Sequence, residues 1–538
     1  MSAGNGLVEG TGAGAEQTDE AQAHSDGAAG AGARQTLACG RHIGVLVGAG
    51  RSQAADAGGE RLTLADLGTP LASLRRDDLT DDPTGARLGM SHGRDLFDDG
   101  TLGLLTPGSS GCGIASCPLL VPESITIFMT PRSCSRHAST LSIRDRYRPQ
   151  IFFLDISEQD VVMGTYTDRL VEAADRIMGL LPEKPRAVFV CGSCIDDLLG
   201  TDMRGLCEEL SGIHGMPFSW LYIDPIARSS TPPPIRMKKA IFRLLCEERT
   251  PVVPDPTAVN LIGEFALLSR DCELPGMLAA AGFKHVRQVA TCATYDDFLQ
   301  MRNACANVAV MRMARGAAQD MQRKLGIPFQ VMRTSTVPQT MAARYDELGA
   351  FLGVQLDYTA ELERIEADVL AAREKLAGVR VAVTQRGGRE SLEAALMLAR
   401  AGADVHAVVS DEVEEDAWPI LEELRQLAPD ALLLPSMRPE VLAGLEPGEG
   451  VDVALGMDAG LLFPQAKLAM FAHDGEPVGF AETRVLLNDA VRALEHGKTA
   501  LEICRHGEPV GRRRAAPAWP PSACAAAARK GDAAGKEA

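Results

Sequence analysis

The stretch IFFLDISEQDVVMGTYTDRLVEAADRIMGLLPEKPRAVFVCGSCIDDLLGTD (151–202) decides the fold. IFFLDI (151–156) is a short, almost unbroken apolar run, the pattern of a strand covered on both faces. TDRLVEAADRIMGLL (167–181) then spaces its apolar residues at helical intervals, and RAVFVC (186–191) returns to a buried strand. Strand, amphipathic helix and strand in that order form a βαβ crossover, so the strands run parallel. SITIFM (124–129), just upstream, adds another strand to the same layer.

The pattern repeats along the chain. A second series holds the strand AVNLIGEFA (258–266), the helix LPGMLAAAGF (274–283) and the strands HVRQVA (285–290) and NVAVMRM (307–313). A third follows the long helix ELERIEADVLAAREKLAG (361–378). It comprises VRVAVTQ (379–385), the helix SLEAALMLARAG (391–402), DVHAVVS (404–410), DALLLPS (430–436) and DVALGM (452–457). The expected fold is α/β, with three Rossmann-like parallel-sheet domains in series and disordered N- and C-terminal extensions. Residues 1–98 read as a flexible, partly disordered N-terminal extension, being Gly/Ala-rich to about 37 and mixed thereafter, with HIGVLVGAG (42–50) and RRDDLTDDPTGAR (75–87). The three domains are expected at 99–250, 251–355 and 356–507. A disordered tail at 508–538 carries basic, Ala and Pro runs (RRRAAPAWPPSACAAAARKGDAAGKEA).

Bulk properties narrow the function. A chain of 538 residues exceeds one hydrophobic core, and 46% hydrophobic with 23% charged residues is ordinary globular composition. A formal charge of -18 argues against a nucleic-acid groove or an anionic membrane surface, both of which need basic residues. The opening MSAGNGLVEGTGAGAEQTDEAQAHSDGAAG has no apolar core segment of a signal peptide, and no run reaches membrane-span length. A soluble, cytoplasmic protein is expected, without nucleic acid or membrane as partner.

Thirteen cysteines at irregular spacing in a reducing compartment do not read as a disulfide framework. Most of Cys207, Cys246, Cys272, Cys292, Cys305 and Cys504 are expected to be buried small hydrophobes, and Cys39 and Cys524 fall in the chain ends. Three others lie where an α/β sheet places ligands, in loops after strands or at a helix start. Cys134 follows SITIFM through the turn TPRS. Cys194 follows RAVFV through CGS and opens the amphipathic helix IDDLLGTDMRGLCEELSG (195–212). Cys112 sits in the glycine-rich loop PGSSGCGIASC (107–117), with Cys117 close behind. Glycines there let backbone amides approach a cluster's sulfides, and a helix start favours a thiolate. Three thiolates at one domain edge suit an iron–sulfur cluster with a fourth ligand from elsewhere. Cys191-Gly-Ser-Cys194 also matches a thioredoxin-type redox pair. A zinc half-site lacks the second pair that a finger requires. VTQRGGRES (383–391) opens a helix after a strand without the G-x-G-x-x-G spacing, and His137, near Cys134, reads as a surface or packing residue.

These residues resemble the component 1 superfamily of nitrogenases, which includes the MoFe protein subunits, the dark-operative protochlorophyllide and chlorophyllide reductases, and cofactor-assembly scaffolds. The resemblance covers roughly 105–505. ISEQDVVMGTYTDRLVEAADRIMGLL…RAVFVCGSCIDDLLGTD is its most specific part and puts Cys194 on the family's third cluster cysteine. IFMTPRSC (127–134) is similar to the family strand ending in HGPxGC and puts Cys134 on the second, with Met129, Thr130 and Ser133 replacing the usual His and Gly. Family spacing favours Cys112 over Cys117 as the first. Residues 258–329, ending in GIPF, look like the second domain and place Val310 where the MoFe α subunit has a cofactor-ligating cysteine. The resemblance implies a nitrogenase-like reductase subunit holding an iron–sulfur cluster, 4Fe–4S or P-cluster-like, on Cys112, Cys134 and Cys194. It further implies a related component 1 subunit as partner, in a hetero- or homo-oligomer, and electrons from an ATP-dependent iron protein with its own 4Fe–4S cluster. A non-catalytic scaffold for metallocofactor assembly is the other class that shares this site.

Overall fold

Parallel strands alternate with helices throughout the part of the protein that the computed structural model describes, residues 63–74, 118–135, 150–222, 233–263, 267–384, 391–410, 417–434, 449–469 and 477–506. The chain enters this description at the short helix Leu64–Leu67 and the two-residue strand β1 (Thr69–Pro70). The first sheet follows: β2 (Ser124–Thr130), β3 (Ile151–Asp155), β4 (Ala187–Gly192) and β5 (Phe218–Tyr222), all parallel in the order β3-β2-β4-β5. A second parallel sheet joins β6 (Asp255–Ile262), β7 (His285–Arg287), β8 (Ala304–Ala309) and β9 (Phe329–Val331) in the order β7-β6-β8-β9. The third comprises β10 (Arg380–Thr384), β11 (Asp404–Val409), β12 (Leu432–Leu434), β13 (Val453–Leu455) and β14 (Lys467–Ala469), ordered β12-β11-β10-β13-β14. These three α/β layers are what the hydrophobic patterning led one to expect.

Strand burial explains why the apolar runs are unbroken. In β2, Phe128 faces one core while Ile125, Ile127 and Met129 face another; in β4, Phe189 and Cys191 oppose Val188 and Val190 in the same way. Each side of the strand therefore needs an apolar side chain. The core holding Phe128 and Phe189 continues through helix Pro233–Glu247 to Ile262 and Ala309 of the second sheet and Met321 of helix Arg315–Leu325, so two sheets share one interior. The other face of the second sheet, with Val259, Leu261 and Val308, packs against helix Pro338–Leu352 and against Phe480, at the start of helix Phe480–His496.

The chain departs from its sequence pattern at several places, among them HVRQVA, a strand only over His285–Arg287 before a 3-10 turn at Val289–Thr291. The stretch after Cys194 forms two helices, Cys194–Leu199 and Met203–His214, rather than one. Gly200 ends the first in the left-handed region (φ 66°), and the Asp202 side chain accepts from Gly205 N at 2.9 Å to start the second. NVAVMRM is a strand only to Ala309, then turns through a 3-10 segment at Arg312–Ala314. Inside the 1–98 stretch, Leu64, Leu67, Leu71 and Leu74 are buried against the third sheet, and β1 pairs antiparallel with β12. No described helix is long and apolar enough to cross a membrane.

Candidate functional site

In the first sheet the strand order reverses between β2 and β4: β3 lies on the outer side of β2, and β4 and β5 on the other. At such a reversal the connections leave the carboxyl ends of the two strands in opposite directions and open a crevice between them. Cys134 and Cys194 lie on its two sides. Cys134 follows Thr130 at the end of β2 through Pro131–Ser133, and Cys194 follows Gly192 at the end of β4 through Ser193. The two strands are hydrogen-bonded neighbours, with Phe128 opposite Cys191.

Local geometry holds each cysteine in place. Cys134 N and Ser135 N both donate to Pro131 O, at 2.9 and 3.2 Å, closing a tight turn that leaves Cys134 exposed. Arg132 anchors that turn to the end of β3, its Nε 2.9 Å and its outer nitrogen 2.7 Å from Asp155 Oδ2. Cys194 is the first residue of its helix, half-buried, behind the cap Ser193. Ser193 Oγ accepts from Ile195 N at 3.3 Å, and Ser193 N donates to Asp196 Oδ2 at 2.6 Å. Asp196 is fully buried, and its Oδ1 has no hydrogen-bond partner among the described residues. Burial pushes its carboxyl above the usual range, and the hydrogen bonds from Ser193 oppose that shift.

Cys191 differs from Cys194. It is fully buried in the core shared with Phe128 and Phe189, whereas Cys194 is half-buried at the start of its helix. A thiol sealed in that way does not meet a disulfide partner in solution, which weighs against the thioredoxin-type reading. Cys207, Cys272 and Cys292 are buried and Cys246 and Cys305 partly so, as expected of packing residues. Burial pushes the thiols of Cys207 and Cys292 up to about 12 and that of Cys246 to about 11, which keeps them protonated and unreactive. Cys112, Cys117 and His137, the segment 385–390 of VTQRGGRES and the side chain of Cys504 lie outside the described residues. Among the described residues no three His, Cys, Asp or Glu side chains gather as a metal site, so Cys134 and Cys194 supply at most part of a ligand set.

The helices that follow β3 and β4 carry exposed apolar side chains, which the sequence reading did not single out. Val162 and Met163 at the end of helix Glu158–Met163 are 78% and 67% exposed, and Leu198 and Leu199 are 87% and 51% exposed. A hydrogen bond between Tyr166 Oη and Thr201 Oγ1 joins the segments carrying the two pairs. The acidic side chains Glu158, Asp160 and Asp197 lie on the same two helices.

Comparison with known proteins gives the family. The family described as nitrogenase component 1 type oxidoreductase matches residues 112–488. The chain belongs to that family. Among curated relatives, the nitrogenase iron-molybdenum cofactor biosynthesis protein NifE of Rhodobacter capsulatus is 27% identical over 323 residues, 56% of this chain and 67% of the relative. NifE of Sinorhizobium fredii is 26% identical over 376 residues, 65% and 74% of the two chains. The nitrogenase molybdenum-iron protein alpha chain of Methanococcus maripaludis is 21% identical, covering 61% and 74%. The solved structure of nitrogenase Cp1 at pH 6.5 superposes with a TM-score of 0.58 at 15% identity, over 74% of this chain and 94% of that one. At that identity the likeness concerns the fold.

Proposed function

We propose that this component 1 family member is a subunit of a nitrogenase-like two-component reductase, holding an iron–sulfur cluster on Cys112, Cys134 and Cys194. The observation that carries this reading is the placement of Cys134 and Cys194 at the carboxyl ends of adjacent strands β2 and β4, on either side of the first sheet's reversal point. A cluster there would be of the 4Fe–4S or P-cluster-like kind and would supply one-electron transfer. The protein's own contribution is positional. The Pro131 turn and its Arg132 anchor hold the Cys134 loop, the Ser193 cap orients Cys194, and the packed core behind Cys191 excludes water from that side.

Three cysteines leave a cluster's coordination incomplete, which supports a second, related subunit across the crevice. The exposed Val162, Met163, Leu198 and Leu199 with their acidic surroundings support docking of the ATP-dependent iron protein nearby, since an apolar patch rimmed by charge marks an interaction surface. The reading places the protein in the cytoplasm, and the three sheets support domain limits of 99–250, 251–355 and 356–507. Anaerobic purification with the partner, followed by iron and acid-labile sulfide assay and EPR of the reduced protein, tests the proposal. An oxygen-sensitive cluster is expected; a folded, colourless, iron-free protein would refute it.

A scaffold for metallocofactor assembly is the second reading, favoured by the biosynthetic names of the NifE relatives. Turnover with the iron protein and ATP separates the two, because a scaffold binds and releases its cargo without reducing a substrate.

A further inference from the structure

The second sheet has its own reversal, between β6 and β8, and that is again where an open α/β sheet takes a ligand. The names of the relatives raise the question of an iron–molybdenum cofactor there. What the described residues leave at that point is a cavity of about 20 Å³, room for about one water molecule. Val310, directly after β8, lines it with a buried apolar side chain, beside Ile262 and Ile241. Lys238 enters from helix Pro233–Glu247, on the side of the first sheet. Only 2% of it is exposed, and its Nζ donates to the carbonyl of Gly263, the residue after β6. Gly263 has φ 127°, and a Cβ there would lie 3.2 Å from Met311 N, so a side chain at this position would press on the segment after β8.

We propose that Lys238 plugs the second sheet's crevice, so that this chain takes no large metallocofactor at Val310. Valine has no donor atom, the Lys238 nitrogen is engaged with the Gly263 carbonyl, and the cavity is far too small for a multi-metal group. The corollary, that the chain's metal chemistry is confined to the cysteine edge of the first sheet, rests on the cluster reading above. The plug itself does not.

Val310→Cys, made in the full-length chain, turns the crevice into its own reporter. Alkylation of that thiol by iodoacetamide, followed by peptide mass spectrometry, should run on the order of 100-fold slower than for the same thiol in urea, because reaction requires local opening. Adding Lys238→Ala should speed it at least about tenfold by removing the seal. Should that variant fail to fold by circular dichroism, Lys238→Met keeps the volume and removes the ammonium that donates to Gly263, and it too should speed alkylation. Fast labelling with Lys238 in place, or no acceleration in either folded Lys238 variant, overturns the proposal. As a direct probe, iron–molybdenum cofactor extracted into N-methylformamide should not co-elute with the parent chain; stoichiometric molybdenum in the protein fraction would also overturn it. Iron at Cys134 and Cys194 enters none of these readouts, so failure of the cluster reading is visible separately.

Discussion

Replacing Cys191 and Cys194 one at a time separates cluster ligation from thiol redox chemistry, because the structure gives the two residues opposite physical settings. Cys191 is fully enclosed by the core that holds Phe128 and Phe189. Cys191→Ala deletes one buried heavy atom, which costs about 0.8 kcal/mol of transfer energy and a comparable amount for the hole left behind, roughly 1–2 kcal/mol in all. Cys194 is half-buried at a helix start, so Cys194→Ala should change the stability of the metal-free chain by no more than about 0.5 kcal/mol. Iron should respond in the reverse order. Loss of a ligating thiolate should lower retained iron at least about tenfold, whereas the buried neighbour should leave most of it bound. The assay measures iron and labile sulfide per chain after anaerobic gel filtration, in parallel with urea unfolding of the metal-free variants. Equal loss of iron in both variants would break the assignment of Cys194 as ligand and Cys191 as packing. Equal loss of redox activity with metal content unchanged would establish the thiol–disulfide alternative.

Arg302 is buried, and its guanidinium donates at 2.8–2.9 Å to Leu245 O, Glu248 O, Thr250 O and Thr250 Oγ1, at the end of helix Pro233–Glu247. Arg302→Met should cost on the order of 3–5 kcal/mol, and Arg302→Lys should recover little, since an ammonium cannot span those acceptors; urea melts showing a loss under about 1 kcal/mol would contradict this. Gly200→Ala introduces no clash but forces φ 66° on a residue with a Cβ, so it should cost about 1–2 kcal/mol, seen as a lower urea midpoint with unchanged slope. Burial, with Glu482 nearby, pushes the Glu393 carboxyl above the usual value, while Arg344 and the hydroxyl of Ser335 pull it down. A raised carboxyl binds its proton more tightly in the folded state. Its contribution is therefore complete below the ordinary glutamate value of about 4.3 and is lost as pH rises through the raised value. Glu393→Gln should flatten this part of the stability curve, and identical pH profiles for parent and variant would rule out the linkage.

Much of the fold was legible because strands covered on both faces must be apolar at every position, and that leaves runs such as SITIFM and RAVFV in plain view. Less visible were β5 (FSWLY) and helix Pro233–Glu247, whose polar face carries Arg236, Lys239 and Arg243. Arg243 is spent on packing over the Trp220 ring, 3.0 Å from its centroid. The break after Cys194 was signalled by Gly200 and Asp202 but masked by a continuous helical spacing of apolar residues across it.

By itself the sequence determined the strand and helix periods, the parallel connections they imply, and the positions of Cys134 and Cys194 after strands, since each depends on local pattern and chain direction alone. Tertiary structure alone decided the rest. Sheet order puts β2 beside β4 and so brings two loops, distant in the chain, to one crevice. Burial distinguishes Cys191 from Cys194, although the two are three residues apart. Lys238 fills the second crevice from a helix whose sequence gives no sign of that contact. Periodicity records which side of an element is covered, and only packing reveals what covers it.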